Sequence, residues 1–242
     1  MNIHFVLQGK GGVGKSYVAA LIAQYCLERG RILAIDTDPV NATFAGYEGL
    51  NVQRAQILDG EDINPRKFDE LMEMIFKADC DDVIIDNGAS SFVPLVSYLR
   101  SNGVIDLLTE LDHRPFIHTL ITGGQAQSDT IAGFEKLLRD FGGDTTQIIV
   151  WLNEFWGEIV DRGIPFERMP VYKQNADKVR AIITIPELKQ ETFGEDIMEM
   201  LKARQTFDEA LESTEFTFMA KQRLSKIKNH LFKLMDSSFQ SA

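Results

Sequence analysis

Eight consecutive residues near the amino terminus have the types and the spacing that bind a polyphosphate. Positions 9–16 read Gly-Lys-Gly-Gly-Val-Gly-Lys-Ser, the pattern of a Walker A motif or P-loop. Its glycines let the backbone turn tightly and bring several N–H groups against the phosphates. Lys15 adds a charge that reaches the β- and γ-phosphates, and the Ser16 hydroxyl suits Mg²⁺. The predicted nucleotide-binding residues of this segment are Gly9, Lys10, Gly11, Gly12, Val13, Gly14, Lys15, Ser16 and Tyr17.

The segments on either side of this loop are those that a P-loop needs. Residues 3–7 form a short apolar run, which is typical of a buried parallel strand. Apolar residues then repeat at helical spacing from Val18 to Cys26, and the repeat stops at Gly30. A helix that begins at the loop turns the positive end of its dipole toward the phosphates. The sequence therefore predicts strand, phosphate loop and helix in direct succession.

Two later strands are predicted to end in aspartate. Residues 31–36 end in Asp36, which Asp38 follows, and residues 83–86 end in Asp86 in the form of a Walker B segment. Open α/β sheets bind ligands at the carboxyl ends of their strands, so these carboxylates and the P-loop belong at one edge. Carboxylate oxygens hold Mg²⁺ directly or through water. We therefore expect Ser16 and Asp86 to bind Mg²⁺ beside the phosphates.

Strands and helices alternate along the rest of the chain. This order predicts an α/β fold, a P-loop NTPase with a mostly parallel twisted sheet and helices on both faces. The 242 residues are predicted to form one domain, residues 1–242, with an irregular insertion on the ligand side at 154–178. The further predicted strands are 52–58, 116–121, 148–153 and 181–186. The further predicted helices are one capped by Asn64, one capped by Ser91, 104–111 (with strand as the alternative), one between Gly123-Gly124 and Gly142-Gly143 with Ile131, Phe134, Leu137, Leu138 and Phe141 on one face, 191–203 and 206–212.

The composition is that of an acidic globular chain. Hydrophobic residues make up 44% of it, and the net charge is −11. A strongly negative field repels phosphate backbones, so we do not expect a general nucleic-acid binder. No apolar run reaches the length of a membrane span, no secretion signal fits, and Cys26 and Cys80 form no metal or redox motif. We expect a cytoplasmic protein, with peripheral attachment at the inner face of the membrane as an alternative.

The carboxyl-terminal stretch 216–242 reverses the sign of the charge. It carries five lysine or arginine residues against one aspartate. Leu224, Ile227, Leu231 and Leu234 recur at helical spacing, with lysines on the other face, which predicts a basic amphipathic helix. Three interpretations stay open for this helix: docking on the sheet, binding of a partner protein, and binding of an anionic membrane.

The early lysine of the loop points to one group of P-loop proteins. Lys10 precedes the glycine pair, and in this respect the motif resembles the deviant Walker A of the ParA/MinD ATPases. The resemblance implies that Lys10 reaches across a nucleotide-sandwich dimer to the nucleotide of the partner. There, like an arginine finger, it would stabilise charge as the γ-phosphate leaves. Lys10, Lys15 and Asp38 are then the expected catalytic residues.

The same resemblance assigns several further residues. The Asp-Thr-Asp-Pro segment at 36–39 is similar to a segment in which Asp38 orients the attacking water and Asp36 supports Mg²⁺ or Lys15. Asn153 would bond the adenine edge, since an amide both donates and accepts. Pro186 and Glu187 would pack beside the adenine, with Trp156 a further candidate near the base. ATP rather than GTP is expected only by this analogy.

Three departures from the usual ParA pattern mark a subgroup. Val40-Asn41-Ala42-Thr43 lacks a glutamine and a glycine, Asn87-Gly88-Ala89-Ser90 replaces the usual threonine and prolines, and Tyr17 replaces a threonine. These features, together with Thr122-Gly-Gly-Gln-Ala, Trp151-Leu-Asn and Thr206-Phe-Asp-Glu-Ala-Leu, resemble the TraL conjugal-transfer proteins of broad-host-range plasmids. The altered loops leave the rate of hydrolysis less well defined than nucleotide binding.

The resemblance implies an ATP-binding, slowly hydrolysing dimerisation switch, an ATPase that acts in plasmid conjugal transfer. Its expected partners are ATP with Mg²⁺, a second copy of the chain and a protein of the conjugation machinery. Two alternatives stay open: a nucleotide-gated partner-binding module with negligible hydrolysis, and a ParA-type plasmid-partition protein. The net charge disfavours the latter unless 216–242 supplies a basic surface for DNA.

Overall fold

Seven parallel strands form the central sheet in the computed structural model, which describes residues 1–143 and 146–239. The strands of this sheet are β1 Asn2–Val6, β2 Ile32–Asp36, β3 Gln53–Arg54, β6 Asp82–Asp86, β7 Arg114–Thr122, β8 Gln147–Asn153 and β11 Val179–Ile185. They lie in the order β11-β8-β7-β1-β6-β2-β3, and each neighbouring pair is parallel. Two short antiparallel hairpins stand apart, β4 Leu58–Asp59 with β5 Asp62–Ile63 and β9 Val160–Asp161 with β10 Ile164–Pro165.

Helices cover both faces of the sheet. They are α1 Lys15–Leu27, α2 Lys67–Phe76, α3 Phe92–Ser101, α4 Val104–Glu110, α5 Gln127–Phe141, α6 Pro170–Lys173, α7 Glu195–Lys202, α8 Phe207–Glu212 and α9 Phe218–Phe239. Side chains of β1 alternate between two apolar layers: Phe5 packs in the layer of α2–α5, and Val6 in that of α1 and α7–α9. The predicted P-loop NTPase architecture is confirmed.

Three predicted element boundaries are wrong: those at 52–58, at Asn64, and at 191–203, where a π-helical turn at Gln190–Gly194 precedes α7. The strand expected over 52–58 is only the two residues of β3, and a separate hairpin follows, with Gly60 at φ +66° in its turn. The helix expected from Asn64 begins at Lys67 instead. The Asn64 side-chain oxygen accepts a hydrogen bond from the Arg66 N–H at 3.0 Å, which makes a turn ahead of the helix.

The helix expected from Ser91 is α3, and residues 104–111 contain a helix, α4, rather than a strand. The irregular stretch 154–178 holds only short turns, the β9–β10 hairpin and the four-residue α6. Within the ranges that the structure describes, no helix has the length and apolar character needed to cross a membrane.

The carboxyl-terminal helix α9 is docked on the sheet. Its apolar side chains are buried in the same layer as α1, among them Leu224, Ile227 and Leu231. Two of its cations form ion pairs with the body of the protein: Arg223 with Asp196, and Lys228 with both Glu28 and Asp208. Of the three interpretations, docking describes 218–239, and residues 240–242 lie outside the described part of the chain.

Candidate nucleotide-binding site

The P-loop joins β1 to α1 at the carboxyl edge of the sheet. Gly12 and Gly14 have φ angles of +76° and +101°, a conformation that strains other residues. A Cβ atom on Gly14 would also lie 2.9 Å from the Asn153 side-chain nitrogen. Both glycines are therefore required by the shape of the loop, and α1 begins immediately after it at Lys15.

Lys15 is buried beneath this loop. Its Nζ donates to the backbone oxygen of Lys10 at 2.8 Å. Burial lowers the pKa of Lys15, while the nearby carboxylates of Asp86 and Asp38 act in the opposite direction. A phosphate oxygen at this position would offer the ammonium group a far stronger partner than a backbone carbonyl.

Asp86 ends β6 directly beside Lys15 and is almost fully buried. One of its carboxylate oxygens, Oδ1, has no hydrogen-bond partner among the described residues. Burial raises the pKa of Asp86 to about 7, although a hydrogen bond from Ser16 and the charge of Lys15 oppose this shift. A buried carboxylate oxygen without a partner, next to a hydroxyl, fits a hard divalent cation such as Mg²⁺.

Asp36 and Asp38 shape the loop that follows β2. Each oxygen of Asp36 accepts a backbone N–H, one from Asp38 at 2.8 Å and one from Ala45 at 2.9 Å. Asp38 Oδ1 accepts the N–H groups of Val40 at 2.9 Å and Asn41 at 3.0 Å. In this state the proposed water-orienting carboxylate is therefore used to hold its own loop.

The loop after Asp86 is held by its own polar side chains. The Ser91 hydroxyl donates to Asn87 Oδ1 at 2.8 Å and also contacts the Gly88 carbonyl. The Asn87 amide donates to the same carbonyl at 2.8 Å. A Cβ on Gly88 would lie 2.7 Å from the Asp38 carboxyl carbon. The unusual Asn-Gly sequence thus lets the loop pack directly on Asp38.

Lys10 lies at the rim of the site and forms an ion pair within its own chain. Its Nζ is 2.7 Å from Asp129 Oδ2 near the start of α5, with side-chain exposures of 41% and 55%. Such exposed pairs contribute little to stability. Lys10 is therefore held in place by a contact that a competing anion can replace.

Two adjoining cavities extend from the P-loop. The first, of about 610 Å³, is the phosphate cavity, and the residues that line it include Lys15, Ser16, Tyr17, Asp38 and Tyr47. The second, of about 180 Å³, is apolar and is lined by Asn153, Phe155, Ile185, Pro186 and Leu188 among others. Gly12, Gly14, Tyr17 and Leu201 border both. Their order along the loop suits phosphates in the first cavity and a base in the second.

The residues predicted beside the base are placed differently from one another. Pro186 lines the apolar cavity, whereas Glu187 is exposed and lines neither cavity. Asn153 lines the apolar cavity, but its amide also donates to the Val13 carbonyl at 2.9 Å and its oxygen accepts the Phe155 N–H at 3.3 Å. Asn153 therefore supports the P-loop whatever else it binds. The Trp156 side chain lies outside the described structure.

Two residues of the site are absent from the sequence-based prediction. Tyr47 lies in the loop after β2, where no periodic pattern places its side chain. Asp129 is 119 residues from Lys10 in sequence, and nothing in its own segment indicates that pairing. Two sequence features could have indicated Tyr47: it lies ten residues after Thr37 in a loop at the ligand edge of the sheet, and another tyrosine, Tyr17, directly follows Ser16 of the P-loop.

A second buried polar cluster lies on the same strands, toward their amino ends. The Trp151 indole, which can only donate, is 3.0 Å from His118 Nδ1. Because His118 Nδ1 accepts this hydrogen bond, the His118 proton lies on Nε2 and is donated to His4 Nδ1 at 2.9 Å. The His4 proton then lies on its own Nε2 and is donated to Asp82 at 3.2 Å. Both histidines thus serve as structural hydrogen-bond partners, and burial lowers the pKa of His118.

This hydrogen-bond chain bears on metal binding at the amino ends of the strands. Ligand-type atoms of His4, Cys26 and Asp82 lie within 4.8 Å of one another. A metal on His4 Nε2 would require the His4 proton on Nδ1, which would place two donors, His4 and Trp151, on the same His118 ring. The hydrogen-bond chain therefore disfavours a metal ion at this cluster, whereas the unpartnered oxygen of Asp86 fits one.

Comparison with known proteins agrees with this geometry. Residues 4–218 match the model of the CobQ/CobB/MinD/ParA nucleotide-binding domain. Two Escherichia coli proteins named Protein TraL are 54% and 52% identical to the chain over 238 residues, which is 98% of each sequence.

Solved structures share the fold at low sequence identity. The MinC:MinD cell division protein complex of Aquifex aeolicus aligns with a TM-score of 0.54 at 16% identity, covering 100% of this chain and 98% of that one. A ParA family ATPase from Chlorobium tepidum aligns with a TM-score of 0.52 at 15% identity, covering 95% and 98%. The chain therefore belongs to the CobQ/CobB/MinD/ParA nucleotide-binding family, in which its near full-length similarity is to the TraL proteins.

Proposed function

We propose that the protein is an ATP-binding, slowly hydrolysing dimerisation switch that acts in plasmid conjugal transfer. One observation carries the nucleotide-binding part. Among the described residues, Lys15 Nζ donates only to a backbone carbonyl, and Oδ1 of the neighbouring Asp86 has no partner. A Mg²⁺-bound polyphosphate would satisfy both groups at once. The place in conjugal transfer rests on the similarity to TraL.

The residues of the site would divide the work. Lys15 and the loop amides bind phosphate, Ser16 and Asp86 hold Mg²⁺, and Asp38 orients water. The bound ion would neutralise charge on the phosphate oxygens. Lys10, once released from Asp129, would act on the nucleotide of a second copy. Supporting this role, Lys10 lies at the rim of the cavity and is 41% exposed.

Solution mass tests the switch. Asp38→Ala protein, chosen so that bound ATP persists, is measured by light scattering with Mg²⁺ and ATP, ADP or no nucleotide. We expect the mass to double with ATP alone. An unchanged mass in a sample shown to bind ATP by calorimetry would overturn the switch and leave nucleotide binding intact.

A second function is favoured by the state of Asp38. Its Oδ1 accepts two backbone N–H groups, and the packed Gly88 loop leaves it little freedom to turn toward water. This supports a nucleotide-gated partner-binding module with negligible turnover. Steady-state phosphate release separates the two: a rate indistinguishable from that of Lys15→Ala protein, despite tight ATP binding, selects the module.

A further inference from the structure

Two tyrosine side chains line the phosphate cavity together with the P-loop. Tyr17 is the third residue of α1 and is half-buried, and Tyr47, in the loop after β2, is only 3% exposed. Both line the phosphate cavity, and Tyr17 also borders the apolar cavity. They come from separate parts of the chain and meet only in the folded site.

Neither hydroxyl has a hydrogen-bond partner in the part of the chain that the structure describes, and neither is among its fully buried unpaired atoms, so both are open to the cavity. A phenol that lines a cavity without a protein partner can donate to a ligand. Two other tyrosines use their hydroxyls within the protein: Tyr25 donates to Asp236 at 2.8 Å and Tyr98 to Asp69 at 2.6 Å. The hydroxyls of Tyr17 and Tyr47 are instead uncommitted among the described residues, and both side chains line one cavity.

The two hydroxyls also lie near each other and stay protonated. Burial raises the pKa of Tyr47 to about 12, and it raises the pKa of Tyr17 further, with an added effect from the charge that Tyr47 would carry. Both groups are thus donors at neutral pH. A pair of neighbouring donors suits an acceptor with several oxygens, and a phosphate is such an acceptor.

The position of Tyr17 indicates which phosphate of a nucleotide the two hydroxyls would bind. In a P-loop the amides cradle the α- and β-phosphates and the lysine reaches the β- and γ-phosphates, so the α-phosphate lies on the side that leads to the nucleoside. A nucleotide that reaches from the phosphate cavity to the apolar cavity must pass Tyr17, which borders both. We propose that Tyr17 and Tyr47 form a hydroxyl pair that binds the α-phosphate of a nucleoside di- or triphosphate.

This pair would make an otherwise anomalous residue useful. A tyrosine in place of a threonine removes the short hydroxyl at this position, but its longer side chain lines the same cavity as Tyr47 and interacts with it electrostatically. The inference rests on the proposed nucleotide binding. It adds a specificity-determining pair, which favours ligands that carry an α-phosphate.

Calorimetric affinities for MgADP test the pair. The variants are Tyr17→Phe, Tyr47→Phe and the double variant, which keep the rings and remove only the hydroxyls. Tyr98→Phe is the matched control, since its hydroxyl is bonded to Asp69 and lines neither cavity. A hydrogen bond to a charged group is worth enough to predict a loss of about 10-fold or more for each cavity variant. The control should bind like the unmodified protein.

The sugar of the probe identifies the acceptor. The same variants are titrated with 2′-deoxy-ADP and 3′-deoxy-ADP, and the loss should be the same as with ADP because the phosphates are unchanged. A loss that disappears with either deoxy sugar would show a ribose contact and overturn the α-phosphate assignment. Wild-type affinity in both single variants would overturn the pair while leaving the proposed function intact.

A chain that binds no nucleotide at all would instead overturn the proposed function. If one single variant fails to fold, as judged by circular dichroism, the other single variant carries the same test.

Discussion

One strand, β6, carries a buried aspartate at each end, and the two differ in nearly every respect. Asp82, at the amino end, accepts hydrogen bonds from Asn2 at 2.8 Å and His4 at 3.2 Å, and the Cys26 thiol faces it. Asp86, at the carboxyl end, keeps one oxygen without a partner in the described structure. Only three residues of the strand lie between a carboxylate whose hydrogen bonds are satisfied and one with an unpartnered oxygen.

The pKa values of the two carboxyl groups diverge for the same reason. Burial alone would raise the pKa of Asp82, but the hydrogen bonds from His4 and Asn2 outweigh burial and the pKa falls. At Asp86 burial dominates and the pKa rises. Burial is common to both, so the difference lies in the donors. A buried polar group with all its partners stabilises the fold, whereas one that lacks a partner marks a place for a ligand.

The largest expected effect comes from removing a charge at the unsatisfied end. Lys15→Ala should weaken MgATP binding by at least 100-fold, because the buried ammonium is the expected phosphate partner. Calorimetry measures the affinity, and Lys67→Ala, an exposed lysine on α2, is the control. Binding within threefold of the unmodified protein would remove the P-loop from the mechanism.

The satisfied end should respond in stability instead. Asp82→Asn places an amide where three donors converge, and we expect the free energy of unfolding to fall by about 2–3 kcal/mol. Denaturant titration measures this change, and nucleotide affinity should stay the same. The matched variant Asp86→Asn relieves a buried carboxylate and should not destabilise the fold, yet it should weaken Mg²⁺-dependent binding. An equal loss in the free energy of unfolding for both variants would contradict the proposed difference between the two carboxylates.

Acid should act on the satisfied end first. Burial, together with the neighbouring His4, holds the pKa of His118 well below its usual value of 6.5, so the unfolded chain binds this proton more readily. The stability is therefore fully present above pH 6.5 and is lost as the pH falls, by about 1.4 kcal/mol per pH unit for one proton. Denaturant titrations between pH 7.5 and 5.5 measure the slope.

A matched variant assigns this slope to the cluster. His118→Gln can still accept from Trp151 and donate to His4, but it does not titrate in this range. Its free energy of unfolding should change less steeply with pH, by about 1.4 kcal/mol per pH unit, because one titrating proton is removed. His113, whose pKa burial also lowers, stays in both proteins and so cancels in the comparison. An unchanged slope would place the titrating proton elsewhere.

The smallest effect is expected at the rim. Asp129→Asn removes the anion that holds Lys10, and ATP-dependent dimerisation should strengthen about two- to fivefold, as expected for an exposed ion pair. The gain should shrink at high salt, which screens the pair in the unmodified protein as well. Concentration-dependent light scattering measures it. Weaker dimerisation in the variant would show that Asp129 supports the assembly instead.

The surroundings of Asp86, at the carboxyl end of β6, were largely predictable from the sequence, whereas the hydrogen bonds around Asp82, at its amino end, were not. The P-loop, Asp36 and Asp86 are contiguous with the strands that carry them, so local patterns and the rule for parallel sheets place them at one edge. The His4–His118 contact joins residues 114 positions apart. No local pattern encodes such a pairing, because it depends on two strands becoming neighbours.

Within the site, the residues that escaped prediction also depend on tertiary packing. Tyr47 reaches the phosphate cavity from a loop of short turns, whose side-chain directions follow no period. Asn64 was predicted to cap a helix, but its hydrogen bond closes a turn and the helix begins three residues later. Type of element was thus easier to predict than the position of a single side chain.

The hydrogen bond from Lys15 to the Lys10 carbonyl links two lysines with different expected tasks. When a phosphate takes Lys15, the carbonyl of Lys10 loses its partner, and the backbone that carries Lys10 is released at the same moment. Loading of the site would then come before any reach toward a second copy. Without nucleotide, Lys15 would stay bonded to the Lys10 carbonyl and the Lys10 side chain to Asp129, so that one 2.8 Å contact would set the order of events.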